Sequence, residues 1–82
     1  MKVTIVCFGA MREYLPDDAD GNRATIDVPD GASVGDLVDA LGAPRRLVHA
    51  LLVDEVQGDL AQRLHEGAGV TLMPSFSGGI ED

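Results

Sequence analysis

The sequence has little of what catalytic or nucleic-acid-binding domains are usually built from. It holds a single cysteine, Cys7, which excludes an internal disulfide and any multi-cysteine metal site. One unpaired thiol fits a reducing compartment. Basic residues are scarce, 6 Lys and Arg against 14 Asp and Glu, for a formal net charge of −8. Nucleic-acid binding requires clustered Lys and Arg, so that class is excluded. Lys2 is the only lysine. No apolar run approaches the ~20 residues of a membrane span. Met1-Lys2-Val3-Thr4-Ile5 opens an alternating segment, not the apolar core of a signal peptide. The expectation is a soluble, cytoplasmic protein with neither nucleic-acid nor membrane partners.

Catalytic sets are missing too. His49 and His65 stand alone, without a Cys or carboxylate at a repeating ligand spacing, and read as surface or structural histidines. Cys7 lies mid-strand and reads as a small buried hydrophobe. Asp54-Glu55 sits in a turn, facing solvent. Gly67-Ala68-Gly69 precedes a strand, the wrong order for a phosphate-binding fingerprint. The chain is therefore expected to bind no metal and no stable cofactor, and not to be an enzyme on its own. An acidic surface suits docking onto a basic partner, although Asp17, Asp18 and Asp20 also read simply as a solvated loop.

What is present is one small domain. A chain of 82 residues buries only roughly 60–65% of the surface that its unfolded form exposes, so the core is thin. Lys2 to Phe8 alternates, with Val3, Ile5 and Cys7 on one face and Thr4, Val6 and Phe8 on the other. Apolar residues on both faces predict a strand inside the sheet. Ala10 to Leu15 predicts a short helical turn, 16–21 an exposed loop, Ala24 to Val28 a second strand, and Pro29-Asp30-Gly31 a turn. Ser33 is the predicted N-cap of a helix, with Asp36 three residues on as a capping-box partner. Val34, Leu37, Val38 and Leu41 form its apolar stripe, and Gly42 followed by Pro44 stops it. His49 to Val53 reads as a third strand, Asp54-Glu55 as a turn, and Asp59 to Leu64 as a short helical or looped crossover. Val70 to Met73 is the last strand, ended by Pro74, which has no N–H to donate. This order predicts an α+β, β-grasp (ubiquitin-like) domain: a mixed four- to five-stranded sheet with one main helix on one face. It should span 1–76, followed by a flexible tail over 77–82.

That tail contains Gly78-Gly79. Paired glycines after a last strand read either as a frayed end or as a segment shaped for a narrow channel, where a Cβ would clash. The residues around them carry a resemblance. Phe8-Gly9-Ala10-Met11-Arg12-Glu13-Tyr14-Leu15, Val28-Pro29-Asp30-Gly31-Ala32-Ser33-Val34-Gly35-Asp36-Leu37, and the stretch from Asp59-Leu60 through Val70-Thr71-Leu72-Met73-Pro74-Ser75-Phe76-Ser77-Gly78-Gly79 occur in order. Over nearly its full length the chain thus resembles the molybdopterin-synthase small-subunit and thiamine sulfur-carrier (MoaD/ThiS) family. Arg12-Glu13 and the Phe-Ser-Gly-Gly ending resemble the molybdopterin branch more than the thiamine branch.

The resemblance implies that the main-chain carboxyl of Gly79 is the working group, adenylated and then converted to a thiocarboxylate. Gly78 and Ser77 would accompany it into a partner's channel, and Phe76 with Phe8 and the last strand would form the docking face. Phe76 reads equally as a packed core aromatic. The implied partners are an E1-like adenylating enzyme, which uses ATP, and a larger synthase subunit or another sulfur acceptor. Members of the family that work as made stop at the second glycine, whereas Ile80-Glu81-Asp82 follow here. The expectation is a precursor trimmed after Gly79 by a metallopeptidase. Two other roles share this fold: a ubiquitin-like protein modifier, and a non-catalytic β-grasp interaction module whose glycines are a relic.

Overall fold

The structure is a computed structural model, and it describes residues 1–74. The strands are β1 (Lys2–Cys7), β2 (Arg23–Asp27), β3 (Val48–Val53), β4 (Val56–Gln57) and β5 (Gly69–Pro74), with one α-helix, α1 (Val34–Leu41). Short 3-10 segments cover Gly9–Tyr14 and Arg45–Leu47. The strands form one five-stranded sheet in the order β2-β1-β5-β3-β4. β1 and β5 run parallel, and the other neighbours run antiparallel. The fold is the expected mixed sheet with one main helix.

Alternation sorts the two faces of the sheet. Val3, Ile5 and Cys7 of β1, Val70 and Leu72 of β5, and Leu51 and Val53 of β3 are all buried, and they meet Val34, Leu37 and Val38 of α1 in a single core. Full burial of each such aliphatic side chain stabilises by about 1.5–3 kcal/mol, so this one helix-on-sheet seam supplies most of what holds the chain together.

The ends of α1 follow the sequence closely. Ser33 Oγ accepts from the Asp36 N–H at 3.1 Å, and Asp36 Oδ2 accepts from the Ser33 N–H at 3.0 Å, a complete capping box. The first helical N–H groups have no partner inside a helix. Here Val34 and Gly35 donate to the carbonyls of Gln62 and Leu60, at 2.9 and 2.8 Å. The crossover before β5 is therefore stitched to the start of α1, and it is a loop, not a helix. Gly42 closes the other end in the left-handed region, at φ 80°.

Several boundaries differ from those predicted; β3 and β5 each start one residue earlier, at Val48 and Gly69. β1 ends at Cys7, and the middle of the sheet is β5; β1 is interior, and its Thr4–Val6 face has no covering layer among the described residues. β2 is shifted one residue towards the N-terminus. β4 was not anticipated: Asp54 and Glu55 both take positive φ, 52° and 70°, making a two-residue hairpin turn that folds Val56–Gln57 back onto β3. Pro74 does not stop the strand before itself but belongs to it, opposite Val48. A proline in a strand loses only a donor and keeps its carbonyl and its apolar ring. The predicted body–tail boundary at 76/77 lies outside the described residues.

Candidate functional site: the exit of the central strand

β5 receives β1 on one side and β3 on the other, so Pro74, the last described residue, lies in the middle of the sheet. Three residues build the exit. The Phe8 N–H donates to the Leu72 carbonyl at 3.1 Å, extending the parallel ladder one step past β1. The Phe8 carbonyl then accepts from the Met11 N–H at 3.0 Å and starts the 3-10 segment. Gly9 lies between, at φ +55°, and a Cβ there would sit 2.9 Å from Pro74 Cγ. Only glycine allows the chain to turn away from β1 while the proline ring closes against its backbone. Pro74 and Met11 are buried beneath this turn.

The uncovered face of the sheet leads to the same place. Register puts Val6 beside Thr71 and Leu52 beside Thr71 from the other side, and Ala50 beside Met73. One step on, Phe8 falls beside Met73. Phe8 is 42% exposed, although it is a large aromatic. Val6, Phe8, Leu52 and Met73, with Thr71 between Val6 and Leu52, thus form a largely apolar strip across three strands beside Pro74. Large aromatics left in water beside apolar neighbours are a mark of contact surfaces. Of the predicted docking residues the structure places Phe8 here. Phe76, Ser77, Gly78 and Gly79 lie outside the described residues.

The other candidates fall elsewhere. Cys7 is fully buried in the core, and burial pushes its thiol pKa up, which suits a packing role and not a nucleophile. His49 is the exposed residue at a register shift in β3. His65 is a structural histidine with a partner that sequence spacing did not reveal. Its Nε2 lies 2.7 Å from Asp54 Oδ2, and its Nδ1 lies 2.9 Å from the Glu66 carbonyl. Both neighbours are acceptors, so the ring is fully satisfied only as imidazolium. The Asp54 carboxylate, then the Glu66 carbonyl, raise its pKa accordingly. Asp54 is not merely solvent-facing. The Gly69 N–H on its Oδ1 at 3.0 Å, and then His65, hold its pKa below the usual range. Among the described residues no three His, Cys, Asp or Glu side chains converge to hold a metal, and no helix is long and apolar enough to cross a membrane.

A single helix across a five-stranded mixed sheet of order β2-β1-β5-β3-β4 defines a ubiquitin-like β-grasp protein. The chain belongs to the Mut7-C ubiquitin family, whose model matches residues 1–78. It is similar to the crystal structure of small archaeal modifier protein 1 from Haloferax volcanii, at 24% identity and a TM-score of 0.67, over 96% of this chain and 100% of that one. A second structure of that H. volcanii modifier aligns at 23% identity and a TM-score of 0.68, over 89% of this chain and 95% of that one. A Pyrococcus furiosus chain assigned as molybdopterin converting factor, subunit 1, aligns at 20% identity and a TM-score of 0.66, with the same two coverages of 89% and 95%. No curated protein matches the chain. The resemblance read from the sequence stands: the family is ubiquitin-like, and a molybdopterin converting factor subunit is among the structural neighbours.

Proposed function

We propose that the chain is a sulfur carrier whose chemistry resides in the main-chain carboxyl of Gly79. The observation that carries this reading is the exit. Pro74, the last described residue of the central strand, lies beside a half-buried apolar strip that includes exposed Phe8, and Gly78-Gly79 follow within five residues. Five extended residues reach at most about 17 Å, enough to carry a carboxyl from a docked body into an enclosed site. Glycine suits that route, because a channel that grips bare backbone leaves no room for a Cβ.

In this reading an E1-like enzyme binds the strip around Phe8 and Met73, with Phe76 alongside, and draws in Ser77, Gly78 and Gly79. The Gly79 carboxylate attacks the α-phosphorus of ATP held by that enzyme, and pyrophosphate leaves. A sulfide-level donor then displaces AMP, leaving a thiocarboxylate. The sulfur passes to an acceptor on a larger synthase subunit, in molybdopterin formation or a related sulfur-transfer pathway. Gly79 offers a free carboxyl only once Ile80-Glu81-Asp82 are removed, and two anionic side chains would resist burial in an ATP site. A trimming peptidase is therefore part of the proposal.

A second reading, a protein modifier joined through the same carboxyl to lysines on targets, is favoured by the likeness to small archaeal modifier protein 1. A β-grasp module without tail chemistry is the third. One measurement separates them: the intact mass of the protein from its native host, with fragmentation of its C-terminal peptide. The carrier reading expects chains that end at Gly79, some with sulfur in place of oxygen. Gly79 found in amide linkage to other proteins would favour the modifier. Chains that all continue past Gly79 while the host uses the protein would sink both.

A further inference from the structure

β3 is covered on its outer side for only part of its length. β4 pairs with Leu52 and Val53 alone, so among the described residues no strand lies outside Val48 to Ala50. A register shift between Val48 and Ala50 takes His49 out of the ladder, and bulges of this kind re-aim a side chain. His49 is exposed, and its ring makes no hydrogen bond among the described residues. The Gly58 N–H donates to the Leu51 carbonyl at 3.1 Å, and the Gly35 N–H of α1 donates to the Leu60 carbonyl at 2.8 Å. These bonds hold the 57–60 loop beside β3 and leave a groove of about 290 Å³, lined by residues 48–51 and 57–60. Val48 and Leu60 are half-buried in that lining, and Leu51 is buried. The groove is smaller than the roughly 300–1,000 Å³ of clefts that enclose a drug-sized ligand, and it suits one aliphatic side chain.

Val48, at one end of this groove, is opposite Pro74, and Ile80 is six residues beyond Pro74. Six extended residues reach at most about 20 Å, whereas the groove runs roughly 10 Å along β3. The surroundings suit an acidic segment. The chain carries a net charge of −8, yet the turn leading into β3 holds Arg45 and Arg46. Arg45 is occupied by Asp39, at 2.9 and 3.1 Å. Arg46 is exposed and makes no ion pair among the described residues. Asp59 is the one carboxylate in the lining, and its Oδ1 accepts from the Ala61 N–H at 2.9 Å. The groove along Leu15, Ile26 and Leu41, by contrast, carries Glu13, Asp17 and Asp27, which would repel further carboxylates.

We propose that the groove beside β3 receives the chain's own segment Ile80-Glu81-Asp82, with Ile80 against Val48, Leu51 and Leu60 and the two carboxylates against Arg46 and His49. Ser77-Gly78-Gly79 supplies the turn that this return needs, since glycine takes positive φ without strain. The tether keeps the segment at a high effective concentration beside the groove, so a contact too weak to form between separate molecules is populated within one. While it is docked, the glycines are drawn across β3 and held out of a partner's channel, and removal of the three residues frees them. The extension then does more than mask the Gly79 carboxyl: it parks the tail on the body until trimming. That consequence rests on the carrier reading above, whereas the contact itself does not.

The test is an amide NMR comparison of the chain 1–82 with the same chain ending at Gly79. The longer chain should differ at Arg46, Val48, His49, Leu51, Gly58 and Leu60, independently of protein concentration, and its Ile80 methyls should show contacts to Leu51 or Leu60. Ile80→Ser should return those amides to their positions in the shorter chain. Arg46→Glu with His49→Glu should bring them at least halfway back; both side chains are exposed, so the fold does not depend on them. Spectra that coincide along β3 and the 57–60 loop, or an Ile80→Ser variant indistinguishable from the natural chain, would overturn the proposal. So would differences centred on Phe8, Val6 and Met73, or differences that grow with protein concentration, which would place the segment on the apolar strip or on a second copy. The carrier reading is decided separately, by the mass of the protein from its host, so either can fail without the other.

Discussion

The two ends of the sheet are built in opposite ways. At the end where β5 begins, polar contacts run in sequence across its width. Asp54 in the β3–β4 turn holds the Gly69 N–H and the His65 ring, His65 holds the Glu66 carbonyl, Glu66 Oε1 accepts from the Lys2 N–H at 3.0 Å, and Lys2 pairs with Asp27. At the end where β5 finishes, no side chain of Phe8, Met73 or Pro74 makes a hydrogen bond among the described residues, and the closure is apolar contact around Gly9. A strand held by side-chain hydrogen bonds at its start and, beyond the backbone ladder, by apolar packing near Pro74 leaves that second end open to another protein. Apolar surface can be exchanged for a partner's apolar surface without stranding a polar group, whereas breaking a hydrogen-bonded network leaves its members unpaired.

The sharpest way to break this comparison is Phe8→Asp. If the exit end is a contact surface, a charge placed on it should slow loading by the adenylating partner by roughly 30-fold, which corresponds to the ~2 kcal/mol of an interface anchor. Stability should fall by about 1 kcal/mol or less, because Phe8 is already partly in water and surface substitutions cost little. Loading kinetics and a urea melt on the same variant separate the two effects. Loss of stability with unchanged loading would make Phe8 a packing residue and leave the strip without a role.

Next in size is Gly9→Val. A β-branched residue at φ +55° is strained whatever surrounds it, and its Cβ would also press on the Pro74 ring. The expected cost is about 2–3 kcal/mol, read from the shift in the denaturation midpoint. The damage should be local. Amides around Pro74 and Met11 should lose protection, while those of Gly69 and Lys2 keep theirs.

The contrast between the ends also explains what the sequence disclosed. α1 was legible because its signals are local: Ser33, Asp36 and Gly42 act within one turn of their own positions, and Val34, Leu37 and Val38 repeat at helical spacing. The sheet's inner face was legible in β1 and β5 from alternation alone. β4 was not, since two residues carry no period and Asp54-Glu55 lacks the glycine of a typical two-residue hairpin turn. His65 with Asp54 was not legible either. The two are 11 residues apart, and only the return of the chain from the hairpin into β5 brings them together. Pro74 was placed one residue outside a strand that includes it, because its missing N–H was weighed and its remaining carbonyl was not. Phe8 was recognised as a docking candidate through its resemblance, and its exposure at the exit is the one structural fact that bears on it. The glycines that would carry the chemistry could be read only in the sequence.

The smallest expected effect lies at the polar end, and it has a definite sign. The His65 pKa is raised above its ordinary 6.5 by Asp54 and the Glu66 carbonyl. Its contribution to stability is therefore complete below that value and is lost as pH rises through the raised, folded-state pKa. Asp54 is shifted the other way, below 3.8, so its contribution is present above 3.8 and is lost as pH falls through its lowered, folded-state pKa. The pair is most stabilising between these limits. Both groups are well exposed, so salt screens them and the effect is modest. The measurement is the difference in Tm between the natural chain and His65→Gln across pH, together with the protection factor of the Gly69 amide, which rests on Asp54. The Tm advantage and the Gly69 protection should both decline as pH rises above the His65 transition, while protection of the Phe8 amide at the other end of the sheet stays constant. A Tm difference that does not change with pH would mean that the ring is not held as imidazolium. A parallel decline at Phe8 would mean that the two ends are one cooperative unit and that the contrast between them is only geometric.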